Sequence, residues 1–181
     1  PVQIKAGFGE RKLTFIRAPG GWNFEIFKMI QDFVPNVAKY KSRLKGLWTC
    51  GTKVPDIDRE LRFHRDLGNA VVLDETIESG GEKFRLPLVR MADKYIHVLD
   101  KAVYEDSLGE AIPYGICHLV YVSANFEQDV EIAKKAGARM IGEVAHITAQ
   151  FGERMVAFFR APGGWNFEFL KIIRDLVPEV V

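Results

Sequence analysis

The sequence predicts an α+β protein in which two βαβββ modules follow an extra β-hairpin. The first observation is that the order strand, helix and three strands occurs twice, over residues 46–107 and again over residues 112–181. The second is that residues 8–37 match residues 151–180 at a constant offset of 143, with 20 of 30 aligned positions identical. Because the match is long and has no gap, one structural piece must be present twice.

The first 38 residues, 1–38, are predicted to be a copy of the terminal hairpin and tail of the second module. The block RAPGGWNFE is identical in both copies and contains the proline and glycines of a tight turn. Apolar and polar residues alternate before this turn, which predicts a strand that pairs with the segment after it. The predicted elements are strands over 13–17 and 22–28, a short helix over 29–33, and a basic linker over 39–45.

The first module begins with an apolar strand that leads into a helix. Pro55 and Asp56 mark the start of this helix, and Leu67 with Gly68 marks its end. Glycines at 80–81 supply a turn between the later strands. The predicted elements are a strand over 47–54, a helix over 57–66, and strands over 70–75, 83–91 and 95–101.

The second module repeats this order. Asn125 is of the residue type that caps a helix start, and Gly137 is of the type that closes a helix end. The predicted elements are a strand over 116–122, a helix from 125 to about 136, and strands near 139–144, 154–160 and 166–172.

Composition sets bounds on the class of protein. A hydrophobic fraction of 48% in 181 residues allows one domain, or two small halves, with a proper core. The net charge of +1 predicts no nucleic-acid partner, and the chain lacks the run of about 18 apolar residues that would predict a membrane span. Two cysteines form no disulfide framework, which fits a cytoplasmic location.

Three segments together resemble a known family. TKVPDIDREL with HRDLG over 52–68, and GICHL over 115–119, look like the openings of two modules of the vicinal oxygen chelate superfamily. VAFFRAPGGWNFEF over 156–169 looks like a closing hairpin. This superfamily includes glyoxalase I, methylmalonyl-CoA epimerase, extradiol dioxygenases and bleomycin-resistance proteins. The resemblance covers about residues 46–173 and implies that each module curls into half of a cupped, open barrel.

The resemblance also implies where metal ligands would lie, because the family takes them from the first and last strands of both modules. Aligning the two modules places these positions on Thr49 and His97 in the first module, and on His118 and Glu168 in the second. The family usually has His at the first position and Glu or Gln at the second, so this chain departs from the pattern twice. The implied ligand set is His97, His118 and Glu168, around a divalent ion such as Zn, Fe, Mn, Co or Ni.

Side-chain alternation supports part of this set. Phe167 and Phe169 take one face of their strand and are expected to pack under a helix, which turns Glu168 into the cup. We therefore expect His118 and Glu168 to lie within about 5 Å of each other. Burying Glu168 unpaired would be costly. A metal would relieve that cost, and so would Arg160, Arg90 or Lys53.

The remaining polar residues receive simpler interpretations. Thr49, Arg90 and Arg160 are predicted to bind substrate. His64 is expected at a surface or an interface, and His146 in a solvated loop from which it could reach a substrate. Glu25, the duplicate of Glu168, has no opening strand beside it, so no complete site is expected there.

These observations predict a metal-dependent lyase or isomerase of glyoxalase or epimerase type, acting on a small substrate with vicinal oxygens, with Glu168 as general base. The alternatives are a non-heme iron extradiol dioxygenase, and a non-catalytic protein that binds a drug or metabolite. The extra hairpin must cover its apolar face. We expect another sheet to cover it, more readily one of a second chain than of the same chain, and therefore a homodimer or larger assembly.

Overall fold

The computed structural model describes residues 1–7, 9–32 and 44–178, which form three sheets and three helices. The strands are β1 (Val2–Ala6), β2 (Gly9–Arg17), β3 (Asn23–Asp32), β4 (Leu44–Lys53), β5 (Ala70–Leu73), β6 (Thr76–Ser79), β7 (Glu82–Arg85), β8 (Leu88–Met91), β9 (Lys94–Leu99), β10 (Gly115–Ser123), β11 (Arg139–Ala149), β12 (Gly152–Arg160) and β13 (Asn166–Asp175). The helices are α1 (Ile57–Asp66), α2 (Glu105–Leu108) and α3 (Phe126–Lys135).

The main sheet joins the two predicted modules side by side. Its eight strands run in the order β11-β12-β13-β10-β4-β9-β8-β5. The opening strands β4 and β10 pair antiparallel at the centre, and each pairs in parallel with the closing strand of its own module, β9 or β13. This arrangement confirms the two βαβββ modules and gives an open, curved sheet.

Helices α1 and α3 cover one face of this sheet, as the alternation of side chains predicted. Phe167 and Phe169 of β13 form a buried cluster with Phe126 and Val130 of α3. A second cluster joins α1 to alternate residues of β8 and β9; its buried members from these elements are Ile57, Leu61, Val89, Ile96 and Val98. Glu168 therefore faces away from α3, toward the other side of the sheet.

The α1 prediction is confirmed at both ends because the signals there are local. The Asp56 carboxylate accepts a hydrogen bond from the Arg59 N–H at 2.9 Å, which caps the helix. Asn125 also precedes a helix, but its side chain donates to Gln128 and makes no cap bond. The short helix α2 was not predicted.

Three predicted elements differ from the structure, because strand pairing decides where the strands in these segments begin and end. The helix predicted over 29–33 is wrong: β3 continues to Asp32 through its ladder with β2, and residues 33–43 lie outside the described ranges. The linker predicted over 39–45 overlaps β4, which begins at Leu44. The strand predicted over 83–91 is divided into β7 and β8, and Pro87, which has no N–H for a ladder, lies between them.

Strands β1, β2 and β3 form a separate three-stranded sheet. The predicted hairpin is confirmed, and its register repeats that of the second copy: Phe15 faces Glu25 as Phe158 faces Glu168. The chain adds β1 at one edge. Phe15 has 68% of its surface accessible, whereas Leu13 on the same face of β2 is buried, so the expected assembly with a second chain stays a prediction.

The turn of this hairpin packs against helix α1 of the same chain. The Trp22 ring lies 6.1 Å from His64, and the Phe24 ring lies 6.2 Å from Phe63. We expected another sheet to provide this cover, and for this end of the hairpin a helix does so instead. His64 is consequently buried and does not lie at the protein surface.

Within the described ranges, no helix has the length and apolar character needed to cross a membrane.

Candidate functional site

A small cavity lies on the face of the main sheet opposite helices α1 and α3, where β9, β10, β12 and β13 contribute side chains. Its volume is about 50 Å³, which is room for a few water-sized groups. Most of its lining is aliphatic or aromatic, including Trp48. The titratable side chains at its wall are those of His97, His118, Arg154 and Glu168.

His118 and Glu168 form a buried pair at this wall. The parallel pairing of β10 with β13 sets Val120 opposite Glu168 and brings His118 Nε2 to 3.5 Å from Glu168 Oε2. The predicted separation of less than about 5 Å is therefore confirmed. Burial disfavours the His118 imidazolium, but the Cys117 sulfur and the Glu168 carboxylate outweigh this effect and raise the pKa of His118 to about 10. The His118 ring beside Glu168 is thus an imidazolium at neutral pH.

Tyr104 holds the other nitrogen of this imidazole. The Tyr104 hydroxyl donates its hydrogen to the Cys117 carbonyl oxygen at 3.0 Å, so the Tyr104 hydroxyl oxygen is left to accept from His118 Nδ1 at 3.3 Å. The two rings meet edge to face at 5.4 Å. Tyr104 follows the last strand of the first module, and no motif in the sequence pointed to this contact.

Gly51 provides the space that the His118 ring occupies. It lies on β4 between its partners His97 and His118 on the two neighbouring strands. A Cβ atom added to Gly51 would lie within 2.8 Å of three atoms of the His118 ring. A glycine inside a strand is a signal in the sequence for such a close approach.

His97 lines the same cavity but does not join the pair. Burial, with the positive charges of His118 and Arg154, lowers its pKa to about 3, so the ring is neutral. Its Nδ1 atom has no hydrogen-bond partner among the residues that the structure describes, and the ring packs edge to face against Trp48 and Phe151, at 5.7 and 5.9 Å. Among residues 1–7, 9–32 and 44–178, no three His, Cys, Asp or Glu side chains are grouped closely enough to hold a metal ion.

Thr49 occupies the position related to His118 by the symmetry of the modules. On β4, Thr49 lies two residues before Gly51, which pairs with His97. In the same way, His118 on β10 lies two residues before Val120, which pairs with Glu168. The Thr49 hydroxyl donates to the Tyr95 carbonyl oxygen at 2.7 Å. This side chain is fully buried and does not line the cavity.

The two arginines predicted to bind substrate also lie outside the cavity. Arg90 donates to the Ala92 carbonyl oxygen at 2.8 Å and lies over the Tyr95 ring. Arg160 pairs with Glu110 and lines a separate open groove of about 530 Å³, which His118 borders from the other side.

Arg154, which was not among the predicted site residues, is the arginine that lines the cavity. Only 1% of its side chain is accessible, and its guanidinium lies 5.5 Å from the ring centres of Trp48 and Phe151. One terminal nitrogen donates to Asp175 at 2.6 Å, while its Nε has no partner within the described ranges. The ion pair of Arg154 with Asp175 is itself part of the internal repeat. The duplicate residues, Arg11 and Asp32, lie 143 positions earlier and also form an ion pair.

Comparison with solved structures finds the same fold elsewhere. Methylmalonyl-CoA epimerase from Mycobacterium tuberculosis is 18% identical with a TM-score of 0.58, over 76% of this chain and 96% of that chain. A variant of the Streptomyces coelicolor epimerase in complex with 2-nitronate-propionyl-CoA is 18% identical with a TM-score of 0.57, over 72% and 99%. A catechol 2,3-dioxygenase is 15% identical with a TM-score of 0.58, over 93% of this chain and 61% of that chain.

No family model matches the sequence, and no curated protein matches it. The likeness to solved structures is therefore a likeness of fold. It agrees with the order and pairing of the two βαβββ modules around the central strands β4 and β10. The chain shares the fold of these epimerases and of this catechol dioxygenase.

Proposed function

We propose that this chain is an enzyme that moves a proton on a small substrate with vicinal oxygens, as lyases and isomerases of glyoxalase or epimerase type do. The observation that carries the proposal is the buried pair of His118 and Glu168 at the wall of a cavity that Arg154 also lines. Buried titratable groups with displaced pKa values in a cavity are typical of sites of acid–base chemistry.

The proposed step is removal of a proton from a carbon next to a carbonyl group. Glu168 accepts this proton, and the electron pair of the broken C–H bond moves to the carbonyl oxygen, which becomes an enolate. The enolate needs positive charge nearby, and the His118 imidazolium and the Arg154 guanidinium both line the cavity. Return of the proton to carbon completes an isomerisation.

The divalent ion that the resemblance implied fits this donor set only in part. Two ligands about 2.1 Å from one tetrahedral metal lie about 3.4 Å apart, close to the separation of His118 and Glu168. His118 holds a proton that a metal would have to displace, and the described residues bring no third donor to the pair. The residues therefore do not form the expected set of three ligands, and no step above depends on a metal.

A non-catalytic binding protein is the second candidate, and one observation favours it. The hydroxyl of Thr49, at a position where the family usually has a ligand, is engaged by the Tyr95 carbonyl oxygen, and the cavity is lined mainly by apolar groups. An iron dioxygenase would need two His and one carboxylate at one point. Among the described residues, His97 does not group with His118 and Glu168 closely enough to form such a set, so only the likeness of fold supports an iron dioxygenase.

Hydrogen exchange on candidate substrates tests the proposal. Methylmalonyl-CoA and hemithioacetals are incubated with the protein in D2O, and loss of the C–H signal is followed by NMR with and without added divalent metal ions. We expect Glu168→Gln to abolish the exchange. Glu25→Gln is the matched control, because Glu25 is the exposed duplicate of the same residue and lies outside the cavity.

Two other outcomes contradict the proposal. Binding of these compounds without exchange would show a binding protein. Oxygen uptake with catechols in the presence of Fe²⁺ would show the dioxygenase. Metal analysis of wild-type, His97→Ala and His118→Ala protein, purified without chelators, tests the three-ligand prediction separately.

A further inference from the structure

The identical RAPGGWN segments of the two copies fold into the same turn. We call residues 17–23 the first turn and residues 160–166 the second turn. In the first turn the Gly21 N–H donates to the Ala18 carbonyl oxygen at 2.9 Å, and in the second turn Gly164 donates to Ala161 at 2.9 Å. The φ angles of these two glycines are 88° and 86°. The two turns therefore present their N–H groups in the same way.

The first turn binds a carboxylate. The Gly20 N–H donates to one oxygen of Glu60 at 2.6 Å, and the Trp22 Nε1–H donates to the other oxygen at 2.7 Å. Glu60 is fully buried, and only 6% of Trp22 is accessible. Hydrogen bonds to an ionised acceptor are among the strong ones in proteins, so this turn is a two-point clamp for a carboxylate on a helix.

The second turn has the same two donors and no acceptor. Neither the Gly163 N–H nor the Trp165 Nε1–H has a hydrogen-bond partner within the described part of the chain. A Cβ atom on Gly163 would lie 3.9 Å from Trp165 Nε1, so the two donors are adjacent. The Trp165 side chain is 49% accessible, whereas its duplicate Trp22 is buried.

The surface beside the second turn is apolar, as the surface around the first turn is. Tyr114 and Ile116 line the open groove with Trp165, and they are 58% and 51% accessible. At the first turn, Trp22 is covered by helix α1 and by the residue that follows β4. Val54, Ile57 and Leu61 are buried there together with Trp22. Adjacent exposed apolar groups of this size are typical of an interaction site.

We propose that the second turn binds a helix of the α1 type, supplied by another βαβββ module. Such a helix carries a glutamate in its first turn, as α1 carries Glu60 after its cap at Asp56, and has apolar residues on the same side. The glutamate takes the two N–H donors of Gly163 and Trp165, and the apolar residues cover Trp165. The first turn has the same sequence, the same turn hydrogen bond and nearly the same glycine φ angle, so its occupant Glu60 supplies the pattern for this partner.

The α1 helix of a second copy of this chain serves as the probe once its own first turn is weakened. In full-length Trp22→Phe protein the indole donor to Glu60 is lost while most of the ring remains, and in Trp22→Ala the helix surface is uncovered as well. We expect both variants to self-associate more than wild type in sedimentation equilibrium, Trp22→Ala by at least ten-fold in the association constant. The added association should disappear when Trp165→Ala, or Glu60→Gln, is combined with either change.

Two results would overturn the proposal. One is unchanged association of both Trp22 variants. The other is increased association that Trp165→Ala does not reduce, since it would show that the variants associate through some other exposed surface. The Trp22→Phe variant guards against a folding failure of Trp22→Ala, and circular dichroism of each protein checks that the sheet content is retained.

Discussion

Replacing Trp22 by phenylalanine should cost far more stability than the same change at Trp165. The Trp22 Nε1–H donates to Glu60 at 2.7 Å, and Glu60 is fully buried, so the substitution leaves one carboxylate oxygen without a donor. A hydrogen bond to a charged group contributes about 1.5–3 kcal/mol. In a chain of this length each kcal/mol lowers the melting temperature by about 2–4 °C, so Trp22→Phe should lower it by about 3–12 °C.

Trp165→Phe is the matched control, because the eight residues around it in the block RAPGGWNFE are identical and the side chain is 49% accessible without a hydrogen bond in the described structure. We expect its free energy of unfolding to change by less than about 0.5 kcal/mol. Urea unfolding followed by circular dichroism measures both variants, and a Glu60→Gln background should remove most of the difference. Equal destabilisation by the two substitutions would refute the role assigned to the first turn.

Three further outcomes are expected. Gly51→Ala should displace the His118 ring, cost about 1–3 kcal/mol of stability through overpacking, and change the imidazole NMR signals of His118; unchanged signals would contradict the close approach. Arg154→Gln should weaken binding of anionic ligands by about 10–150-fold, whereas Arg11→Gln, which breaks the duplicate ion pair outside the cavity, should leave binding unchanged in calorimetric titrations. Because burial lowers the pKa of His64 below 6.5, the unfolded chain binds a proton that the folded chain does not. The free energy of unfolding should therefore fall as the pH decreases from 6.5 toward the pKa of His64 in the folded protein. Urea unfolding at about pH 7.5 and at about pH 5 measures this difference, and His64→Gln should make it smaller.

The sequence alone determined the features that depend on neighbouring residues or on the internal repeat. The bounds of α1 follow from its cap at Asp56 and its apolar period, and both are local properties of the chain. The direction of Glu168 follows from the alternation of side chains along a strand between Phe167 and Phe169. The repeat of residues 8–37 predicted both the hairpin and its register, because identical sequence in a similar setting pairs in the same way.

Only the tertiary structure decided the features that depend on residues far apart in the chain. The strand pairing of β3 with β2 outweighs the helical pattern near Met29, and packing of the first turn on α1 buries His64, which looked like a surface residue. Arg154 reaches the cavity because the end of β12 comes to lie beside Trp48 of the first module. Local patterns predict which face of an element a side chain takes, but the elements that meet that face are chosen by the packing of the whole chain.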